Sequence, residues 1–120
     1  MIVAGFGASA RAGRESFRVL LRDAACGRRL AAVATVTGRC RALEELAAEV
    51  GLPLIALEPD RIRGVRTVSR SQRSLHAFGT GSVAEACALV AAGRGARLVA
   101  ARTVSPDRLA TCAIAEGVSP

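Results

Sequence analysis

Short apolar runs alternate along this chain with segments that have the apolar spacing of a helix. Four runs indicate strands, at residues 2–5, 30–36, 54–57 and 98–101. Helical sequence separates each of these strands from the next, an alternation that predicts parallel strands covered by helices. A fifth run, residues 111–117, follows the fourth after the turn "TVSPDRLA". That connection is too short for a parallel crossover, so we expect the last strand to be antiparallel to the fourth.

The helical segments are bounded by glycines and by one arginine-rich stretch. Apolar residues recur at helical spacing before Gly27, before Gly51 and before Gly93, which predicts three helices that stop there. Residues 60–72 have no clean period and read as a loop, followed by a short helix over residues 71–77. The sequence therefore predicts one α/β domain over residues 1–120, with a five-stranded, mainly parallel (mixed) sheet, helices on its faces and an antiparallel last strand.

The charge of the chain is carried by a single type of cation. All 17 positively charged side chains are Arg, the net charge is +7, and Lys is absent, which excludes a Schiff-base lysine or a P-loop. Arg binds carboxylates and phosphates through paired hydrogen bonds, so we expect a small, acidic ligand. With three Phe, no Tyr and no Trp, a base-stacking surface is hard to build, and we expect no nucleic-acid partner.

Targeting signals and metal motifs are not evident. The chain has no apolar run of eighteen residues and no signal-peptide pattern, so we expect a cytoplasmic protein without a membrane partner. Cys26, Cys40, Cys87 and Cys112 form no C-x-x-C pair and read as reduced core thiols. His76 is the only histidine, and no G-x-S-x-G motif accompanies it. We therefore expect neither a metal site nor a Ser-His-Asp hydrolase.

The first strand runs into a glycine-rich segment, "VAGFGASARAG". Gly5, Gly7 and Ala10 match the G-x-G-x-x-A form of the dinucleotide fingerprint, so one alternative is an NADP-binding enzyme domain. The second strand is not followed by the acidic residue that would hold a ribose. The other interpretation is a turn that merely leaves the strand.

The stretch "FGTGSVAEACALVAAG" begins the last helix and allows two interpretations. Ser82 and Glu85 have the spacing of a capping box, in which Ser82 accepts from the Glu85 N–H and the Glu85 side chain reaches back to the Ser82 N–H. Alternatively, the backbone N–H groups of Gly79, Thr80 and Gly81 bind an anion at the positive end of the helix. Spacing alone leaves both interpretations open.

Arginines close to this turn suggest how an acidic ligand could be held. Arg66, Arg70 and Arg73 precede the turn directly, and together with it they would form a basic pocket. Arg102 and Thr111 lie at strand ends, where α/β sheets commonly bind ligands. A basic interaction module that does no chemistry is a third possibility.

A family resemblance covers nearly the whole chain. "FGTGSVAEACALVAAG", followed by "ARLVAARTVSPDRLATCAIA", resembles the carboxy-terminal signature of the cobalamin-biosynthesis CobE/CbiG C-terminal domain family. "LEELAAEVGLPL" and the amino-terminal "AGFG" match the same family in the same order. The resemblance implies a role in making the corrin ring of vitamin B12.

The resemblance also implies a ligand and partners. The longer CbiG relatives open the lactone of a cobalt-containing precorrin and release acetaldehyde. This chain resembles the stand-alone CobE form of the aerobic pathway, so it would bind or process a precorrin, and whether it is an enzyme is left open. Its partners would be that tetrapyrrole and other enzymes of the pathway, and no cofactor is expected.

Precorrins carry many acetate and propionate groups, which suit arginines and backbone N–H donors. The catalytic residues, if the protein is an enzyme, stay unknown from the sequence. The predicted substrate-binding residues are Gly7, Arg11, Ser71, Gly79, Thr80, Gly81, Ser82, Glu85, Arg102 and Thr111.

Overall fold

One mixed sheet runs through the molecule. The computed structural model describes residues 1–38 and 41–117. In chain order the elements are β1 (Ile2–Ala8), α1 (Arg14–Ala25), β2 (Ala32–Val36), α2 (Arg41–Val50), β3 (Leu54–Leu57), α3 (Pro59–Ile62), α4 (Gln72–Phe78), α5 (Val83–Ala92), β4 (Arg97–Val104) and β5 (Ala110–Glu116). The strand order is β3-β2-β1-β5-β4.

Four strands point the same way and the last opposes them. β1 pairs with β2, and β2 with β3, in parallel, whereas β5 is antiparallel to both β1 and β4. The predicted fold class is confirmed. The central place of β5 agrees with its apolar sequence "ATCAIAE", since a strand flanked and covered on both faces has little room for polar side chains.

The two faces of β1 pack against different helices. Ala4 and Phe6 face a core built with α1 and α2, where the rings of Phe6 and Phe17 meet edge to face at 5.6 Å. Val3 faces a second core, built largely from the alanines of α5. Successive residues of a strand point to opposite faces, so one short strand contributes to both cores.

Glycine lets α5 lie directly on β1. A Cβ atom at Gly5 would be 2.2 Å from the carbonyl oxygen of Ala84 and 2.4 Å from the backbone nitrogen of Ala88. Gly5 and Gly7 therefore lie inside β1 and against α5, whereas the dinucleotide fingerprint requires them in a turn that opens the next helix. That next helix, α1, begins only at Arg14. The NADP alternative lacks its structural basis.

Some predicted boundaries were wrong. Residues 59–62, partly read as loop, form α3, whose Pro59 has the backbone angle that a first helical turn needs. β1 continues to Ala8 because β5 pairs with it as far as Ala110. The predicted short helix is confirmed as α4, with Ser71 as its N-cap.

No single helix in the described ranges is long and apolar enough to cross a membrane. Within the described residues, only α4 and α5 taken together, bent by 57° at the break between them, reach that length and composition. Six of the ten residues of α5 are buried, and four of these belong to the second core.

Candidate ligand-binding site

The carboxyl ends of the parallel strands meet a crevice beside β1. α1 follows β1 on one face of the sheet, while α5 covers the other face and leads into β4. Where two connecting helices lie on opposite faces of a sheet, a cleft opens between them at the strand ends. Open α/β sheets commonly bind ligands in such clefts.

A cavity of about 420 Å³ occupies this crevice, and we call it the sheet-end pocket. Its walls are the end of β1 with the loop after it, one face of α4, the first turn of α5, and the β4–β5 hairpin. Five of the ten predicted site residues line it: Gly7, Ser71, Ser82, Arg102 and Thr111.

Three guanidinium groups give the sheet-end pocket its charge. Arg73, Arg102 and Arg108 line it, and no acidic side chain is among the described residues that do. Within the part of the chain that the structure describes, none of the three forms an ion pair. The described lining of the pocket therefore has a net positive charge, which suits an acidic group.

Arg108 was missed by the sequence prediction. Its backbone lies in the left-handed region, with φ of 63°, which is uncommon for a residue other than glycine. The Asp107 carboxylate fixes the hairpin around it, accepting hydrogen bonds from the Ser105 hydroxyl (2.6 Å), the Leu109 N–H (3.0 Å) and the Ser16 hydroxyl of α1 (2.5 Å). The two hydroxyl donors hold the pKa of Asp107 below its usual value. The turn "SPDR" was the available signal, since Ser and Asp stabilise tight turns in this way.

The first turn of α5 adds a positive dipole end. Ser82 caps this helix, and its Oγ accepts from the Glu85 N–H at 3.2 Å, so the serine half of the predicted capping box is confirmed. Ser82 and Val83 also line the sheet-end pocket. The N-terminal end of a ten-residue helix therefore faces the same space as the three arginines.

The glutamate half of the predicted box was wrong. The Glu85 side chain is fully buried and does not reach back to Ser82. Its carboxylate accepts hydrogen bonds from the Val68 N–H (2.8 Å), the Ser69 N–H (2.9 Å), the Ser69 hydroxyl (2.6 Å) and the Arg102 N–H (2.8 Å). Burial alone would raise the pKa of Glu85, but these four bonds outweigh it and hold the pKa below the usual value.

The predicted glycine turn lines a different cavity. This second cavity, of about 330 Å³, is bordered by Gly79, Thr80 and Gly81 together with Arg66 and Arg70, and we call it the loop pocket. The opposite face of α4 separates it from the sheet-end pocket, and no described residue lines both cavities.

Each residue of the turn has a structural role. Gly79 ends α4 in the left-handed region, with φ of 71°, and its N–H donates to the Leu75 carbonyl at 3.0 Å instead of being free for an anion. Thr80 is buried and donates to the Val65 carbonyl. A Cβ atom at Gly81 would be 2.5 Å from Thr67 Oγ1, so the loop of residues 67–70 packs directly against this glycine.

Eight of the ten predicted residues thus border one of the two pockets, and two do not. Glu85 lies beneath the surface. Arg11 lies exposed in the β1–α1 loop, where its N–H donates to Ser9 Oγ.

The thiols and the histidine contribute no metal centre in the described residues. Burial raises the pKa of both Cys87 and Cys112 to about 12, as expected of core thiols. Cys26 is exposed, contrary to a core role, and His76 is exposed on α4. Cys40 lies outside the described residues.

Comparison with protein families gives one match over almost the entire chain. Residues 2–115 match the family model described as cobalamin synthesis G C-terminus. Among curated protein sequences no match was found.

Solved structures with the same fold carry related descriptions. CobE, a protein from the cobalamin (vitamin B12) biosynthetic pathway, superposes with a TM-score of 0.86 at 28% identity, covering 100% of this chain and 92% of CobE. Cobalamin biosynthesis protein chiG from Agrobacterium tumefaciens str. C58 has a TM-score of 0.77 at 31% identity, covering 99% of this chain and 100% of that protein. A cobalamin biosynthesis protein G homologue from Sulfolobus solfataricus shares the fold at 20% identity and a TM-score of 0.74, covering 95% of this chain but only 36% of the longer protein.

Proposed function

The chain belongs to the cobalamin synthesis G C-terminus family, and from this premise we propose that it binds a precorrin, a corrin-ring intermediate, in the sheet-end pocket. Its likeness to CobE, a protein from the cobalamin biosynthetic pathway, over 92% of the length of CobE supports the proposal. The proposal places the protein in the cytoplasm and in the aerobic pathway, where it would exchange the intermediate with other pathway enzymes.

One observation carries the proposal: three arginines without a carboxylate partner among the described residues line a pocket at a helix N-terminus. Precorrins carry acetate and propionate groups around the ring. Arg binds such groups through two parallel hydrogen bonds, and the helix dipole favours negative charge at the same place.

The shape of the pocket suggests how much of the ligand it holds. A volume of about 420 Å³ takes one edge of a macrocycle and leaves the rest of the ring outside. Ala77, Phe78 and Leu109 add apolar surface to the lining, against which a ring can pack. The loop pocket, with Arg66 and Arg70, offers a second basic surface for a further acid group.

The chemistry of the lining supports binding over bond cleavage. Ser71, Ser82 and Thr111 supply hydroxyl groups, but no carboxylate, imidazole or thiol is among the described residues of the sheet-end pocket. A hydrolytic step needs a general base to activate water or a hydroxyl nucleophile. We therefore propose a binding or carrier role.

A titration with hydrogenobyrinic acid, followed by its visible spectrum, tests the proposal. Wild-type protein should bind in the micromolar range, and Arg102→Gln should weaken binding about tenfold because one charge-assisted contact is lost. Arg94→Gln is the matched control, since it removes the same charge from an exposed turn after α5. Absence of micromolar binding by the wild type would contradict the proposal, and so would equal losses in the two variants.

Arg108→Asn tests the hairpin separately. Asn tolerates the left-handed backbone, so the variant should unfold at a temperature no lower than that of the wild type while binding about tenfold more weakly. Unchanged binding would remove Arg108 from the site. A rise in melting temperature with NADPH but not with hydrogenobyrinic acid would favour the nucleotide alternative.

A further inference from the structure

Arg102 lies where β4 departs from regular pairing. Ala100 is opposite Ile114 and Thr103 is opposite Cys112, so β4 has one residue more than β5 between these two pairs. A β-bulge of this kind leaves a backbone group out of the ladder and changes the direction of a side chain. The bulge therefore sets the direction in which the Arg102 side chain leaves the backbone.

Glu85 supplies the hydrogen-bond acceptor at the bulge. The Arg102 N–H donates to Glu85 Oε2 at 2.8 Å, and the Ser69 hydroxyl donates to the same oxygen at 2.6 Å. The other oxygen accepts from the N–H groups of Val68 and Ser69. One buried carboxylate thus joins β4, which lines the sheet-end pocket, to the loop that borders the loop pocket.

The buried Glu85 carboxylate lowers the stability of the folded protein unless all of its hydrogen-bond donors are present. A buried carboxylate must be hydrogen-bonded to stay charged in the interior, and here both oxygens are occupied. The α5 position is also rigid, because Gly5 lets that helix lie on β1. Glu85 is therefore held at a fixed distance from the sheet.

We propose that Glu85 is a positioning residue: through its buried carboxylate it fixes the Arg102 bulge, and with it the Arg102 side chain, in the geometry that binds the ligand. This inference rests on the proposed function for its ligand. Glu85 contacts no ligand, since it has no exposed surface.

A double-mutant cycle tests the proposal. Glu85→Gln puts an amide NH₂ among four donors, which should release the bulge and weaken hydrogenobyrinic acid binding about tenfold. In an Arg102→Gln background the same change should have little further effect, because the group that Glu85 positions is already gone. Equal effects in both backgrounds, in protein that is folded by circular dichroism, would overturn the proposal.

Ser69→Ala provides the milder variant should Glu85→Gln fail to fold. It removes only the hydroxyl that shares Oε2 with the Arg102 N–H, and we expect about threefold weaker binding, again only when Arg102 is present. A threefold loss that persists in the Arg102→Gln background would argue against positioning.

Amide NMR separates this inference from the proposed function. The Arg102 N–H donates to a carboxylate, so its proton should resonate downfield in the wild type and move upfield in Glu85→Gln, where the acceptor loses its charge. If this shift occurs but the wild type binds no hydrogenobyrinic acid, the proposed function fails and the positioning of Arg102 stands. An Arg102 amide that is insensitive to Glu85→Gln overturns the positioning role.

Discussion

Gly5 is the residue at which α5 comes closest to the sheet. A methyl group there would overlap the Ala84 carbonyl and the Ala88 nitrogen, both backbone atoms that cannot turn aside. We expect Gly5→Ala to lower the free energy of unfolding by about 3 kcal/mol, measured by urea denaturation. Gly13→Ala is the control, because nothing lies within 4 Å of its added methyl group and the loss of a glycine N-cap costs less than about 1 kcal/mol. Similar losses in the two variants would contradict the packing argument.

The cysteines differ in their reactivity according to burial. The thiols of Cys87 and Cys112 have a pKa of about 12, so almost none of either is the reactive thiolate at pH values near 8. With iodoacetamide at that pH we expect Cys26, which is exposed, to be alkylated and the two buried thiols to stay free until denaturant is added. Mass spectrometry of the peptides measures this. Alkylation of Cys87 at the rate of Cys26 in native protein would show that the second core opens readily.

Ser82 and Glu85 show which features of single residues a sequence pattern can predict. "GTGSVAE" predicted correctly that Ser82 caps a helix, because a cap depends only on neighbours in the chain. The position of the Glu85 side chain depends on its hydrogen bonds to Ser69 and Arg102, which lie 16 and 17 residues away in the sequence. Spacing within the helix carries no information about such partners.

Among the helices, α4 is the least embedded. None of its seven residues is buried, whereas α5 has six buried residues. We expect the amide hydrogens of α4 to exchange through local opening, at least about tenfold faster than those of α5, as measured by hydrogen exchange. Because opposite faces of α4 line the two pockets, a bound ligand should slow exchange in α4 more than in α5. Equal protection of the two helices without ligand would contradict this ranking.

Helices and strands could be predicted from the sequence where the apolar pattern that indicates them is local and extends over enough residues to show a period. α1, α2 and α5 have two or more turns of apolar spacing, and the type and order of the strands followed from their alternation with helices. α3 has only four residues, too few to show a period. The irregular pairing of β4 arises from its contacts with β5 and Glu85, so its own sequence did not reveal it.

At the scale of the molecule, the sheet order assembles the candidate site from distant parts of the chain. Gly7 and Thr111 are brought together because β5 pairs with β1, and the Thr111 hydroxyl donates to the Gly7 carbonyl at 3.3 Å. The sequence placed these residues at strand ends, at the edge of the sheet where the sheet-end pocket lies. It did not predict that α4 would divide the basic residues between two pockets, since that division depends on how α4 packs.

The buried carboxylate makes the stability of the whole molecule depend on acid pH. The pKa of Glu85 is lower in the folded protein than the ordinary value of 4.5, so unfolding at low pH takes up a proton. The stability that Glu85 contributes is complete above that value and is lost as the pH falls through the lower pKa of the folded state. Between pH values of about 5 and 3, the wild type should therefore lose more stability than Glu85→Gln, which has no such proton to bind.

Urea denaturation at both pH values measures this difference. At neutral pH Glu85→Gln should be less stable than the wild type by roughly 2–3 kcal/mol, because hydrogen bonds to a charged group are replaced by poorer ones. The difference in the free energy of unfolding between the two proteins should be smaller at a pH of about 3 than at neutral pH. Asp107, whose pKa is also held low, is present in both proteins and contributes equally to their acid sensitivity. A constant difference between the two proteins would mean that the pKa of Glu85 is the same in the folded and unfolded states, and the four hydrogen bonds would then not favour its charged form.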